Sequence, residues 1–154
     1  MEIPVSKTLS VRIPDSPSAT LLGWRLEDHD AEKGWVRIAF EGKRDFLNPA
    51  GFVQGGFLTA MLDDCMGPAV WIMTGGELYT TTIDMTVSFL APASPGPLFG
   101  EGQVVQLGKS IAFLEARLAD SSDRLLARAT ASARLLSAKR AIAGLTEASD
   151  GNRT

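Results

Sequence analysis

Two adjacent carboxylates, Asp63 and Asp64, fall inside an otherwise apolar run, Phe57–Met73. A carboxylate among apolar side chains loses hydration, which raises its pKa unless hydrogen bonds or positive charge compensate. That is how a fold prepares a general base or a nucleophile, although a structural network or a path to solvent also accommodates such a group. Neighbouring helical residues point about 100° apart, so the two do not share one environment. Gln54-Gly55-Gly56 enters the same run. Glycine lets another group approach the backbone closely, and a first helical turn offers unpaired N–H donors at the positive end of the dipole. Such a place suits an anion or a carbonyl oxygen that gains negative charge. The reading as a plain loop-to-helix turn stays open. Gly56 and Asp63 are seven positions apart, about 10 Å of helix. That is too far for both to hold one carbonyl group, so cooperation between them requires two subunits.

Other features are read as inert. Gly108-Lys109-Ser110 resembles the end of a phosphate-binding loop, but Gln103 stands where that loop needs glycine, and no helix follows. Cys65 sits among Leu62, Met66 and Ala69 and reads as core packing. His29 lies in a charged turn. One cysteine and one histidine leave no internal disulfide and none of the common multi-cysteine or multi-histidine metal motifs. A net charge of −3 and a pI near 5.1 argue against a nucleic-acid partner. No apolar stretch approaches the roughly 20 residues of a membrane span. Residues 1–15 alternate polar and apolar and do not read as a signal peptide. The expectation is a soluble cytoplasmic protein with no membrane partner.

Length and composition favour one globular domain: 154 residues, 45% hydrophobic and 21% charged. A strand pair is expected at Leu21–Glu27 and Trp35–Glu41, followed by a loop over Gly42–Val53. The helix is expected at Phe57–Met73, with Pro68 a candidate kink because it lacks an N–H. Strands follow at Thr80–Leu90, Leu98–Leu107, Ile111–Ala119 and Leu125–Leu136. In Thr80–Leu90 the alternation puts Ile83, Met85, Val87 and Phe89 on one side, with Thr82, Asp84, Thr86 and Ser88 on the other. The tail Ser137–Thr154 reads as a frayed helix and then disorder. The class is α+β, an antiparallel sheet of five to six strands around one central helix. A single helix covers only part of such a sheet, so a homo-oligomer is expected.

The string from Asn48-Pro49-Ala50-Gly51 through Gln54-Gly55-Gly56 to Asp63 resembles the signature of the PaaI-type hotdog-fold acyl-CoA thioesterases. That family shows an Asn-Pro-x-Gly-x-x-His-Gly-Gly motif, with a carboxylate seven residues after the second glycine. Thr82-Ile83-Asp84-Met85, Ser88–Pro92 and Gly108–Phe113 add to the likeness, which covers roughly residues 20–136. It implies a hotdog domain over 20–136, between an N-terminal segment 1–19 and a polar tail 137–154. It further implies homodimers joined edge to edge, which in this family often pair into homotetramers, with active sites at the dimer interface and no cofactor beyond the substrate's own coenzyme A. By matching position, Asp63 is the nucleophile or general base, with Asp64 its rival. The Gly55 and Gly56 N–H groups of the other subunit polarise the thioester carbonyl. Asn48 positions the carbonyl or the water, and Thr82 holds the water. Gly108, Lys109 and Ser110 lie where the coenzyme is contacted. Phe52 and Phe57, with Met61, are read as walls for an aromatic or medium-chain acyl group. Gln54 replaces the family's histidine, which removes dehydratase chemistry and leaves hydrolysis open. The alternative reading is a hotdog module that binds an acyl-CoA or fatty-acyl ligand without hydrolysing it.

Overall fold

A computed structural model describes residues 9–142. The six strands are β1 (Arg25–Asp30), β2 (Trp35–Gly42), β3 (Leu78–Phe89), β4 (Gly96–Leu107), β5 (Ile111–Asp120) and β6 (Leu125–Ser137). They form one sheet in the order β1-β2-β4-β5-β6-β3, with every neighbouring pair antiparallel. The helices are α1 (Pro17–Leu21) and α2 (Gly55–Met73), with a 3-10 turn at Arg44–Phe46. Helix α2 lies against the sheet, which is the hotdog arrangement. Its Leu58, Met61, Leu62, Cys65, Met66, Ala69, Val70 and Ile72 are buried, so burial rather than a single amphipathic stripe holds it in place. Cys65 is fully buried, and burial pushes its thiol well above the ordinary range.

Two glycines set how closely the helix approaches. In β4 the inward positions are Leu98, Gly100, Gly102 and Val104, while Phe99, Glu101 and Gln103 are only half-buried on the other side. A Cβ on Gly102 would overlap the Cys65 carbonyl, and one on Gly100 would overlap the Cys65 sulfur. The outer side of the sheet carries ion pairs, including Arg117 Nη1 to Glu101 at 2.8 Å.

Pro68 does not break α2, which runs unbroken through it. Because proline has no N–H, the Asp64 carbonyl loses its helical partner. The Trp24 indole N–H replaces it, donating to Asp64 O at 3.2 Å. Trp24→Phe is therefore expected to cost about 1 kcal/mol, seen as a lower urea midpoint at unchanged m-value.

Three expectations are corrected. The first strand begins at Arg25, not Leu21, because residues 17–21 form α1: Ser16 caps it by accepting from Ala19 N–H at 3.1 Å, and Pro17 opens it. The same strand runs on to Asp30, past its expected end at Glu27, so His29 lies in β1 and not in a turn. The even alternation of Thr80–Leu90 is broken by a β-bulge between Thr82 and Asp84. A bulge adds one residue and reverses the facing of those beyond it. Thr82 therefore faces the helix, as do Met85 and Val87, while Asp84 bonds Ser132 on the other side.

The N-terminal stretch forms a strap over the C-terminal half of α2. Leu9 and Ile13 pack on the core, and the Trp71 indole donates to the Arg12 carbonyl at 3.0 Å. At the other end, residues 138–142 are helical, and the rest of the expected tail lies outside the described residues. Among the described residues no helix is long and apolar enough to cross a membrane.

Candidate active site

Asp63 sits midway along α2 on the flank that meets β3, and its side chain is exposed. The Thr82 hydroxyl donates to Asp63 Oδ1 at 2.8 Å. The bulge creates this contact, because without it Thr82 would face away from the helix. A carboxylate whose one oxygen is held by a hydroxyl keeps its other lone pairs for a proton. The Thr82 oxygen, having given its own proton, can still accept one from water.

Asp64 differs. It is half-buried, and its Oδ2 is sealed from solvent with no hydrogen-bond partner among the described residues. Burial first, and the neighbouring Asp63 charge second, push its pKa up to about 6. The desolvation anticipated for the pair thus falls on Asp64. A raised folded-state pKa means the folded protein holds this proton more tightly than the unfolded chain does. The stability from that proton is complete below about pH 3.8 and is lost as pH rises through about 6. Asp64→Asn is therefore expected to be more stable than the parent at pH 7.5, by roughly 1 kcal/mol once screening at its exposed edge is allowed for. The difference should close as pH falls to 4, which urea melts across that range would follow.

The remaining positions gather at the other end of α2. Gln54 caps the helix: its Oε1 accepts from the Gly56 N–H at 3.1 Å, and its carbonyl accepts from Phe57 and Leu58. The Gly55 N–H is left without a partner among the described residues. The Phe89 ring lies across Gly55, 3.1 Å from where a Cβ would stand, so a side chain there would press on the ring. Asn48 Oδ1 accepts from Ala50 N–H at 3.0 Å and Phe52 N–H at 3.2 Å. It shapes the loop in which Gly51 takes φ +84, and its amide N–H groups remain to donate. Phe57 stacks on Phe46 with ring centroids 4.2 Å apart, whereas Phe52 is partly exposed in the loop. Met61 is fully buried in the core.

Gly108, Lys109 and Ser110 form the exposed β4–β5 turn, closed by Gly108 N–H to the Ile111 carbonyl at 2.9 Å. Ile111 and Thr81 both pair with Arg134, so this turn shares the end of the sheet that carries Thr82. Within one chain, then, Asp63, Asp64 and Thr82 come together, while Asn48, Gln54, Gly55 and Gly56 stand about two helical turns away. Strand β3 is at the end of the sheet, so among the described residues one of its edges is unpaired, with Ile83 56% exposed beside Asp63's partner Thr82.

Beside Asp63 and Thr82 lies a cavity of about 270 Å³. One wall is the strap at Ile13 and Pro14; another is α2 at Gly67, Pro68 and Trp71. Sequence reasoning did not single out the strap residues, because nothing local shows where a terminal segment lies down. Pro68 is a visible irregularity in an apolar helix, but its missing N–H by itself predicts only a kink. Among the described residues no group of three or more His, Cys, Asp or Glu is placed to hold a metal ion.

The profile of the thioesterase superfamily matches residues 50–127. A phenylacetic acid degradation-related protein from Ralstonia eutropha JMP134 is 32% identical, with a TM-score of 0.76 over 84% of this chain and 97% of its own. The PaaI protein of the E. coli phenylacetic acid degradation operon shares the fold at 19% identity. Its TM-score is 0.69, over 79% of this chain and 86% of its own. A Streptococcus mutans UA159 protein bound to acetyl CoA shares it at 20% identity and a TM-score of 0.66, covering 82% of this chain and 94% of its own.

Proposed function

The chain belongs to the thioesterase superfamily, in its PaaI-type hotdog form, and on that premise we propose that it hydrolyses an acyl-CoA thioester to a free acid and coenzyme A. The observation that carries the proposal is the Thr82–Asp63 hydrogen bond in the lining of a cavity that also holds apolar side chains such as Ile13, Trp71 and Leu78. In this reading two copies pair through the free edge of β3 as a homodimer, on which a homotetramer can be built. Pairing brings the helix start of one copy to the Asp63 of the other, supplying the donor that a single chain holds too far away.

The scissile carbonyl oxygen accepts from the Gly55 N–H of one copy, with the Asn48 amide nearby. Water held by Thr82 gives a proton to Asp63 of the other copy as its oxygen bonds to the carbonyl carbon. Collapse of the tetrahedral adduct breaks the C–S bond, and the thiolate leaves and takes up the proton. Attack by Asp63 itself, through an anhydride that water then opens, gives the same products. A preorganised donor is commonly worth 10²–10³ in turnover. All these groups belong to the chain, so the route calls on no metal or redox cofactor. The exposed Gly108-Lys109-Ser110 turn is assigned to coenzyme contact, and Gln54, Phe52 and Phe57 line the approach from the opposite copy.

The acetyl CoA in the S. mutans neighbour supports coenzyme A as the thiol. The phenylacetic acid degradation names of two neighbours support an aromatic or medium-chain acyl group. The cytoplasm is the compartment assigned with this substrate. One observation favours the non-catalytic acyl-CoA binding module instead: Gln54 already occupies the Gly56 N–H, leaving one donor fewer for an oxyanion. Release of free thiol from acetyl-, hexanoyl-, phenylacetyl- and palmitoyl-CoA decides between them. Saturable turnover of any of these supports the hydrolase, and tight binding without turnover supports the module.

A further inference from the structure

Residues 9–15, the strap, cross α2 with few ties. Among the described residues no backbone–backbone hydrogen bond joins them to the rest of the chain. The strap is seated by Leu9 and Ile13 on the core, by Val11 over Gly76, and by the Trp71 indole, which donates to the Arg12 carbonyl at 3.0 Å. Segments with few hydrogen bonds and few buried contacts are the ones that open locally.

The strap passes over one carboxyl group. Cavities of about 270 and 130 Å³ lie along it, and Ile13, Pro14 and Asp15 line both, together with Asp64 and Pro68 of α2. Asp64 and Pro68 are one helical turn apart on one face, so the crossing point is Asp64. One oxygen of Asp64 is sealed there with no hydrogen-bond partner among the described residues. Protonated, that group is a buried polar atom; ionised, it is a buried charge, which costs far more. Nothing in the linings offsets the charge. Their other ionisable groups are Asp15 from the strap, Asp63 from α2 and Tyr79 from β3, while α1 and the segment before β1 contribute only Ala19, Thr20 and Trp24. The adjacent Cys65 thiol is buried and held neutral. No Lys, Arg or His is among the described lining residues, and Arg12 is exposed and already paired with Asp15 at 3.0 Å.

The two charge states of Asp64 therefore favour two positions of the strap. The seated strap keeps water from the carboxyl group and so favours its proton. By the same linkage, loss of the proton favours the position in which water returns. We propose that the strap is a proton-controlled flap, seated while the Asp64 carboxyl is protonated and lifted more often once it is ionised, so that the cavity beside Asp63 opens to solvent as pH rises. The proton leaves to bulk water, and no other group need change charge. The seated state is favoured fully below about pH 3.8, and that preference is lost as pH rises through about 6.

The test is hydrogen exchange of the Trp71 indole N–H in the isotope-labelled full chain between pH 4 and pH 7, read against the Trp24 indole N–H in the same spectrum. Trp24 donates to the Asp64 main-chain carbonyl and not to the strap, so the ratio removes the intrinsic pH dependence of indole exchange. In the parent the Trp71-to-Trp24 ratio should rise by about 10-fold, less than the whole shift would give, because the Asp63 charge acts on Asp64 in either strap position. In Asp64→Asn, which keeps the shape and cannot ionise, the ratio should stay level, and the two proteins should agree at pH 4. A level ratio in the parent, or an equal rise in Asp64→Asn, would overturn the flap. Asp64→Ala supplies the same comparison if Asp64→Asn does not fold. The readout is exchange and not turnover, so its outcome is independent of the hydrolase reading.

Discussion

Asp63→Asn is expected to lower kcat on acyl-CoA by roughly 10²–10⁴-fold, the contribution typical of a positioned general base. The substitution isolates proton acceptance. Asparagine has the same shape, and its side-chain carbonyl can still accept from the Thr82 hydroxyl that now reaches Asp63 at 2.8 Å. The side chain is exposed in the single chain, so neither fold nor core packing should respond. Steady-state thiol release, compared with binding of the same ester by calorimetry, would show turnover lost and affinity kept. Thr82→Val should give a smaller loss in kcat, because it removes the water's orienting partner and leaves the base. The informative contrast is Asp64→Asn. Its carboxyl has one sealed, unpartnered oxygen and takes no part in the Asp63–Thr82 bond. An active Asp63→Asn beside an inactive Asp64→Asn would move the base one residue along the helix and refute the assignment.

Gly102→Ala should be the most destabilising small substitution, costing roughly 3 kcal/mol, the upper end of the usual range for overpacking. The obstacle it meets is the main-chain carbonyl of Cys65, which no rotamer change can move. The helix must lift from β4, separating Leu62, Cys65 and Met66 from the sheet. Gly100→Ala presents a different problem, because its new methyl meets the Cys65 sulfur and the Phe40 ring. Replacing Cys65 by Ala should therefore recover part of the loss from Gly100→Ala and almost none of that from Gly102→Ala. Urea unfolding of the parent, the three single variants and the two double mutants would measure this difference in coupling. Equal rescue of both would show that the carbonyl contact does not limit the approach.

Legibility differed between the elements. Helix α2 was visible because the seventeen residues of Phe57–Met73 form a run too long for a strand, and the β4–β6 run because apolar alternation recurs along it between short polar turns. Strand β1 was misplaced, although the Ser16-Pro17 start signal for α1 stood in the chain. Five helical residues carry too little periodicity to compete with an adjacent apolar run. For the candidate site, the spacing of Gly55-Gly56 and Asp63 and the resemblance built on it pointed to the residues. Alternation taken by itself put Thr82 on the wrong face.

What the chain determined locally, then, was the identity of its elements and the odd placement of two carboxylates in an apolar helix, because periodicity and burial cost act over one or two turns. Tertiary structure alone decided three things. The bulge turned Thr82 toward Asp63, since register is set by pairing with β6 and not by β3 itself. The Trp24 indole satisfied the carbonyl that Pro68 leaves open, forty positions away. The strap lined a cavity beside Asp63, where one carboxylate is exposed and held by a hydroxyl and its neighbour is half-buried with one oxygen unpartnered among the described residues. Each depends on groups distant in sequence arriving at one place, and no local pattern encodes that meeting.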